Sequence, residues 1–414
     1  MPLAGVFDTE TGPKGGATFC WHAAARLFDA AGAEVSRKAA FAPILPDRPA
    51  GAALAAALAG QGRGFRIGGT GALEAGFGQI ETLTGGSLGA ARRVLRSQAS
   101  WCASFAVNAG LFGIGPGVRI AVPGRLSHSL ALYAALEGLH LGAEVHVLDG
   151  LRPDRMAAGL AARGIDVIYA TPVHLAQMLA AGGRWPDLRL VVAGGAKLEP
   201  GVRAALAAAA PGAAVREFYG AAEASFITLS QPGDAPETVG RPYPGVDLSL
   251  CDAQGAEVPL GAVGDVWVRG PYLFERYAGA DPGSARWRDG WLSVGEIGAL
   301  TQAGLVLRGR AGRMVTIAGQ NVFPEEIERF ATGLPGVARI AVLAEPEGLR
   351  GHVLWAVVQG DPGQEAAILG ALRARLGPML MPRRLVWRED WPVLASGKPD
   401  LARLAAEGRA RAWR

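Results

Sequence analysis

The chain reads as an α/β protein in two unequal parts, and three observations predict it. Between residues 118 and 209, short runs rich in Val, Ile and Ala alternate with helix-like segments. Strand and helix taken in turn imply a parallel sheet with crossover helices. Between residues 235 and 309, short strands are broken up by Gly and Pro, which suggests a small β-barrel or sheet. After Arg310 a strand–helix mixture resumes. The expected organisation is therefore a large N-terminal domain over 1–309, with 235–309 as a β-rich subdomain, and a small α+β domain over 310–414.

The elements follow in order. Ala50 to Leu58 is an Ala-rich helix. Val118 to Val122 is a strand, Leu130 to Leu141 a helix, and Glu144 to Leu148 a strand. Pro153 to Ala162 is a helix opened by proline, a residue tolerated in the first turn. Val167 to Ala170, Pro172 to Ala180, Leu188 to Val192, Val202 to Ala209 and Ala214 to Phe218 continue the alternation. Asp247 to Cys251 and Gly264 to Val268 are strands of the β-rich region. Beyond Arg310, Ala338 to Leu343 and Val353 to Val358 are strands, and Glu365 to Leu376 is a helix.

Composition narrows the function. Hydrophobic residues make up 50% and charged residues 19%, a globular balance. The net charge of +4 is spread out, without a dense basic run interleaved with aromatics, so nucleic acid is not the expected partner. An anionic small molecule fits the charge equally well. The three cysteines are scattered, which argues against a disulfide framework or a zinc site and for a reducing cytoplasm. Asp8 and Glu10 argue against a signal peptide. The uncharged stretch between Arg96 and Arg119 contains Gln98, Asn108, a proline and glycines; it reads as a buried helix plus a loop, not a membrane span.

Five motifs carry chemistry. Thr84 to Arg93, with Gly86, Ser87 and Gly89, is a Gly- and hydroxyl-rich run that can wrap backbone N–H groups around phosphate, with Arg92 as the nearby cation. It lacks Walker spacing. Phe218-Tyr219-Gly220-Ala221-Ala222-Glu223 ends a strand with a flat ring, a glycine that lets backbone approach, and a carboxylate able to hold a hard cation. Gly290 to Gly298 places Glu296 among glycines, suited to ribose hydroxyls. Arg308 to Gly319 joins charge to hinge-capable glycines where the composition changes. Finally, Lys398 follows Ser396-Gly397 and is one of only four lysines among 41 basic residues. A compact ammonium where the chain otherwise uses guanidinium suits a charge that develops in a transition state. Gly68 to Gly71 and Gly113 to Gly117 lack the strand–GxGxxG–helix context and read as turns.

In this order the motifs resemble the adenylate-forming superfamily, the AMP-dependent synthetases and ligases that include short acyl-CoA synthetases. Thr84 to Arg92 is similar to TSGSTGxPKG, Tyr219 to Glu223 to YGxTE, and Gly290 to Gly298 to GWxxTGDxG. Arg310 to Glu328 is similar to GRxDDxIKxxGxxxxPxEIE, and Ser396 to Lys398 to SGK. Ser127-His128, Ala193-Gly194-Gly195-Ala196 and Gly240-Arg241-Pro242 resemble smaller family motifs.

The resemblance implies a mobile C-terminal domain and two half-reactions. A carboxylic acid attacks ATP to give an acyl-adenylate, and a thiol, often that of CoA, then displaces AMP. By similarity, Thr84, Gly86, Ser87, Gly89 and Arg92 would hold phosphates. Gly195, Ala196, Tyr219 and Gly220 would line the adenine site. Glu296 and Arg310 would bind ribose, and Glu223 would coordinate Mg²⁺. Lys398 would bridge the carboxylate and the α-phosphate, and His128 would sit near the acyl pocket. Ala318 and Gly319 would line the thiol's approach after rotation about Gly312.

The chain departs from the family at several points. The loop lysine is Arg92, and Leu88, Ala222 and Val294 replace hydroxyls. The ribose aspartate is Glu296, the hinge acid is Gly312, and the stretch before the phosphate loop is short. Two further readings stay open: a member that binds acyl or nucleotide ligand without turnover, and an adenylating enzyme that acylates a carrier protein in trans.

Overall fold

The computed structural model describes residues 16–84, 92–279, 285–348, 351–394 and 398–412. Its centre is an eight-stranded sheet. Six strands run parallel in the spatial order Arg26–Phe28, Glu144–Val147, Arg119–Val122, Val167–Ala170, Leu190–Gly194 and Ala214–Ala221. Ser225–Leu229 and Arg241–Pro242 then add antiparallel strands at one edge.

Period-two alternation sorts the side chains onto two faces. Ile120, Val122, Val167, Tyr169, Leu190 and Val192 pack with helices Gln98–Phe112 and Ser129–Leu141. Their neighbours Ala121, Ile168, Ala170, Val191 and Ala193 pack on the other face, against helices Pro153–Ala162, Pro172–Ala180 and Pro200–Ala209. The last three helices each open on proline, and Thr171 with His174 forms a capping box at one of them.

The chain steps from Arg119–Val122 to one side and returns on the other. That reversal opens a crevice beyond the C-terminal strand ends.

The expected helices at Pro153 and Pro172 hold with the same bounds. The strand expected from Leu188 starts at Leu190, because Leu188 N–H closes a turn onto the Trp185 carbonyl at 3.2 Å. The strand expected to stop at Phe218 runs to Ala221 with a bulge between Tyr219 and Gly220. Glu223 therefore sits in a tight turn between antiparallel strands.

The β-rich region forms a six-stranded antiparallel sheet of Asp247–Cys251, Val263–Arg269, Arg286–Arg288, Trp291–Ser293, Glu296–Thr301 and Gly304–Arg310. Two strands of the same stretch serve other sheets. Arg241–Pro242 extends the central sheet, and Arg276–Ala278 pairs with Arg93–Ser97 in a five-stranded one.

After Arg310 come a small hairpin, helix Pro324–Thr332, and a three-stranded sheet of Val337–Glu347, Gly351–Gly360 and Leu385–Trp387 with its own core. The helix that begins at Glu365 breaks at Gly377 (φ 75°, ψ 167°), one residue past the expected end, and resumes to Leu380.

The turn Gly68–Gly71 is held from beneath by a buried ion-pair network. Arg66 Nη1 donates to Glu81 at 2.6 Å, and both side chains are excluded from solvent. Arg66 also donates to the carbonyls of Gly68 and Gly71 at 2.9 and 2.7 Å. Arg93 approaches Glu81 at 3.2 Å. Removing one partner leaves an uncompensated buried charge. Glu81→Ala should cost about 3–5 kcal/mol in denaturant unfolding, and Arg66→Met with Glu81→Leu together should cost clearly less than Glu81→Ala alone.

Candidate active site

A cavity of about 880 Å³ opens where the crevice of the central sheet meets the six-stranded sheet and the segment leading to the C-terminal residues. It gathers side chains far apart in sequence: Thr84, Arg92, Glu223, Glu296, Arg310 and Lys398 all line it.

The ends of the Gly-rich loop are pinned together. Thr84 N–H donates to the Arg92 carbonyl at 2.9 Å, and Arg92 N–H donates to Thr84 Oγ1 at 3.1 Å. Gly86, Ser87 and Gly89 lie outside the described residues. The Arg92 guanidinium lies 5.9 Å from the centre of the Tyr277 ring.

The turn after Tyr219 is fixed from several sides. Tyr277 Oη donates to Glu223 Oε1 at 2.7 Å. Phe274 N–H donates to the Glu223 carbonyl at 2.7 Å, and Arg96 Nη1 to the Ala222 carbonyl at 3.1 Å. Gly220 is required here, since a Cβ would stand 2.1 Å from the Ser225 carbonyl oxygen. Tyr219 Oη is buried without a partner, and such a group calls for a ligand or water.

Glu296 and Arg310 face one another across neighbouring strands, with Nε to Oε1 at 3.0 Å. Burial raises the Glu296 carboxyl, while Arg310 opposes that shift. Lys398 is half-buried beside them. Burial first, and then the Arg310 charge, bring its ammonium down to about 8, against the pull of Glu296 and Glu223.

His128 precedes helix Ser129–Leu141 and lines the cavity; its Nδ1 is buried without a partner, and burial lowers its pKa. Gly195 lines the cavity with φ 91°, and the loop after it is tied down by Leu198 N–H to Glu217 Oε2 at 2.8 Å.

One expectation turns out differently in this arrangement, and two concern a rotated one. Ala196 does not line the cavity; only its neighbour Gly195 does. Ala318 and Gly319 form the exposed tip of the hairpin Val315–Ile317 and Gln320–Val322, away from the cavity wall, with φ of 49° and 79°. Gly312 is exposed at the cavity's edge, and a Cβ there would meet nothing within 4 Å.

The sequence reading missed Arg96, Trp101, Tyr133 and Tyr277, which also shape the site. Arg96 had a usable signal: a charge directly after Val94 and Leu95 inside a strand needs a buried partner. The aromatics gave none beyond core periodicity.

Against known families, residues 82–278 match the AMP-binding enzyme family and residues 326–398 match the AMP-binding enzyme C-terminal domain. An uncharacterized acyl–CoA ligase, YhfT of Bacillus subtilis (strain 168), is 31% identical over 336 residues, covering 80% of this chain and 67% of that protein. A salicylyl-CoA synthase / salicylate adenylyltransferase of a Streptomyces species is 32% identical over 311 residues, 71% of this chain and 56% of that protein. The solved amide bond synthetase McbA from Marinactinospora thermotolerans superposes with a TM-score of 0.70 at 28% identity, covering 79% of this chain and 69% of that one. The chain thus spans between about half and seven-tenths of the length of these proteins. It belongs to the AMP-binding enzymes of the adenylate-forming superfamily. Among the described residues, no helix is long and apolar enough to cross a membrane.

The charge arrangement sets a testable titration. Competitive acylation of lysines against pH should place half-reaction of Lys398 near 8, well below an ordinary lysine. Arg310→Ala should move that midpoint up, and Glu296→Gln should move it down. A midpoint in the ordinary lysine range for the unaltered chain would contradict the described placement.

Proposed function

We propose that this chain is an ATP-dependent acid–thiol ligase that activates a carboxylic acid as its acyl-adenylate and then passes the acyl group to the thiol of CoA. The observation that carries the reading is Lys398. A residue from the far end of the chain stands in the same cavity as Glu223, Glu296, Arg310 and the neck of the Gly-rich loop.

The residues present suit the substrates. Thr84 and Arg92 hold the loop's ends where β- and γ-phosphates would lie. Tyr219, Gly220 and Gly195 leave a flat slot for a base. Glu296, oriented by Arg310, offers acceptor oxygens to ribose hydroxyls. Among the described residues no group of three His, Cys, Asp or Glu side chains could hold a metal ion by itself. Glu223 alone would hold Mg²⁺ together with phosphate oxygens, in keeping with that ion's preference for a few carboxylates plus substrate phosphates; the ion would neutralise phosphate charge.

In the first half-reaction the acid's carboxylate oxygen bonds to the α-phosphorus, and the bond to the pyrophosphate oxygen breaks. Lys398 stabilises the negative charge spread over the carboxylate and the α-phosphate oxygens, a role that needs charge without bidentate geometry. In the second, the thiolate attacks the acyl carbon and AMP leaves. The exposed Ala318–Gly319 tip would face the thiol only after the C-terminal domain turns about Gly312, a position with open space around it. A carrier-protein thiol would use the same path.

The test is ATP–pyrophosphate exchange across a panel of carboxylic acids, followed by thioester formation with CoA. Exchange should occur with at least one acid, and Lys398→Ala should reduce it about 10²–10³-fold, the range for losing one preorganised transition-state donor. Because the ammonium is the working form, kcat/KM for exchange should fall as pH rises through about 8. Nucleotide binding by folded protein without exchange for any acid would refute the ligase reading.

A further inference from the structure

The apolar half of the cavity is walled by rings. Trp101, Tyr133, Tyr169, Phe218 and Phe226 border it, from two helices and three strands; Phe218 is half-buried, and the other four rings leave 4% or less of their surface open. Tyr133 meets Trp101 edge-on at 5.3 Å and Phe226 at 5.4 Å, and Phe226 meets Phe218 at 4.2 Å. The wall is continuous with the reacting end of the site, since Phe218 adjoins Tyr219 and the strand register sets Phe226 opposite Gly220. Gly194 makes room for the Phe218 ring, which a Cβ there would strike at 2.2 Å.

Behind these rings the cavity stops. Tyr133 Oη meets Ser104 Oγ at 2.8 Å and receives Asn108 Nδ2 at 3.0 Å. The same Asn108 nitrogen donates to Glu137 Oε1 at 2.8 Å, and Tyr169 Oη donates to Glu137 Oε2. Tyr243 Oη closes the set on Asn108 Oδ1 at 2.7 Å. Glu137, Asn108 and Ser104 are fully buried. A long alkyl chain directed past these rings would have to displace this bonded set, leaving buried polar groups unpaired. A ring ending on the tyrosines would gain edge and face contacts instead.

We propose that the acid is a compact aromatic carboxylic acid whose ring packs against Trp101, Tyr133 and Phe226, and that Glu137 is the positioning residue that fixes the tyrosine walls. This deepens the acid-activating reading above and rests on it. Glu137 touches no substrate; it acts through Tyr169 directly and through Asn108 on Tyr133.

The experiment compares pyrophosphate exchange for benzoate, 2-hydroxybenzoate and 2-aminobenzoate with that for acetate, octanoate and decanoate. The best aromatic acid should exceed the best straight-chain acid in kcat/KM by about ten-fold or more, the scale of discrimination open to one apolar pocket. Tyr133→Ala should raise KM for that aromatic acid by a similar factor. Glu137→Gln should raise KM for the acid while leaving KM for ATP unchanged, a split that general loss of structure would not give. Should Glu137→Gln fail to fold, Tyr133→Phe keeps the ring and unties it from Ser104 and Asn108, with the same split expected.

Preference for octanoate or decanoate, or equal changes in both KM values, would overturn the proposal while the ligase reading stands. If no acid supports exchange, the ligase reading fails, and calorimetric binding decides the pocket. Binding of benzoate that Tyr133→Ala weakens keeps the aromatic pocket without its use in acid activation, and absence of binding overturns the pocket as well.

Discussion

Lys398 is brought into the cavity beside Arg310 at the cost of much of its hydration, and the rest of the site answers that cost. The Lys398 ammonium loses hydration on burial and is repelled by the Arg310 guanidinium, which itself stays partly exposed. Glu296 and Glu223 offset part of this, and the remainder shows as a Lys398 ammonium brought down to about 8. A site that carries such a load unliganded gains most when a polyanion enters. The carboxylates set a limit in turn, since too many would cancel the attraction for phosphate. Here each is bonded where it stands, Glu296 by Arg310 and Glu223 by Tyr277.

The two halves of the cavity divide the work. The polar half comes from loops and turns: the neck at Thr84 and Arg92, the Glu223 turn, and the strand ends at Glu296 and Arg310. The apolar half comes from side chains rooted in helices and the central sheet, braced by Asn108 and Glu137. Charges can thus be approached by a ligand from the open side while the ring walls keep a fixed shape. Arg96 joins the halves. It is fully buried, donates to the carbonyls of Ala222 and Tyr272, and lies 4.9 Å from the centre of the Trp101 ring.

Much of this was legible in the sequence, for reasons that particular residues show. The helices opened by Pro153 and Pro172 were readable because proline marks a first turn whatever the tertiary setting. Glu223, Glu296, Arg310 and Lys398 were readable because their motifs fall in the order of the adenylate-forming superfamily, a signal that none of them carries alone. What stayed hidden depended on long-range partners. Nothing local in Gln98–Phe112 tells that Trp101 borders the cavity while Phe105, in the same core, does not. Ala196 was placed by its neighbours' pattern, yet the positive φ at Gly195 turns only the glycine toward the cavity. The bulge at Tyr219 and Gly220, which turns the strand end toward the site, has no sequence signature beyond the glycine itself.

The proposed role of Lys398 is to serve the first half-reaction and to leave the cavity when the C-terminal domain turns for the second. It is tested most directly by single-turnover kinetics on Lys398→Ala, with the two steps measured apart. Adenylate formation from ATP and the best acid of the panel should fall about 10²-fold or more. Thiolysis by CoA of the same adenylate, supplied ready-made, should proceed at the rate of the unaltered chain. An equal loss in both steps, or in neither, would contradict the account.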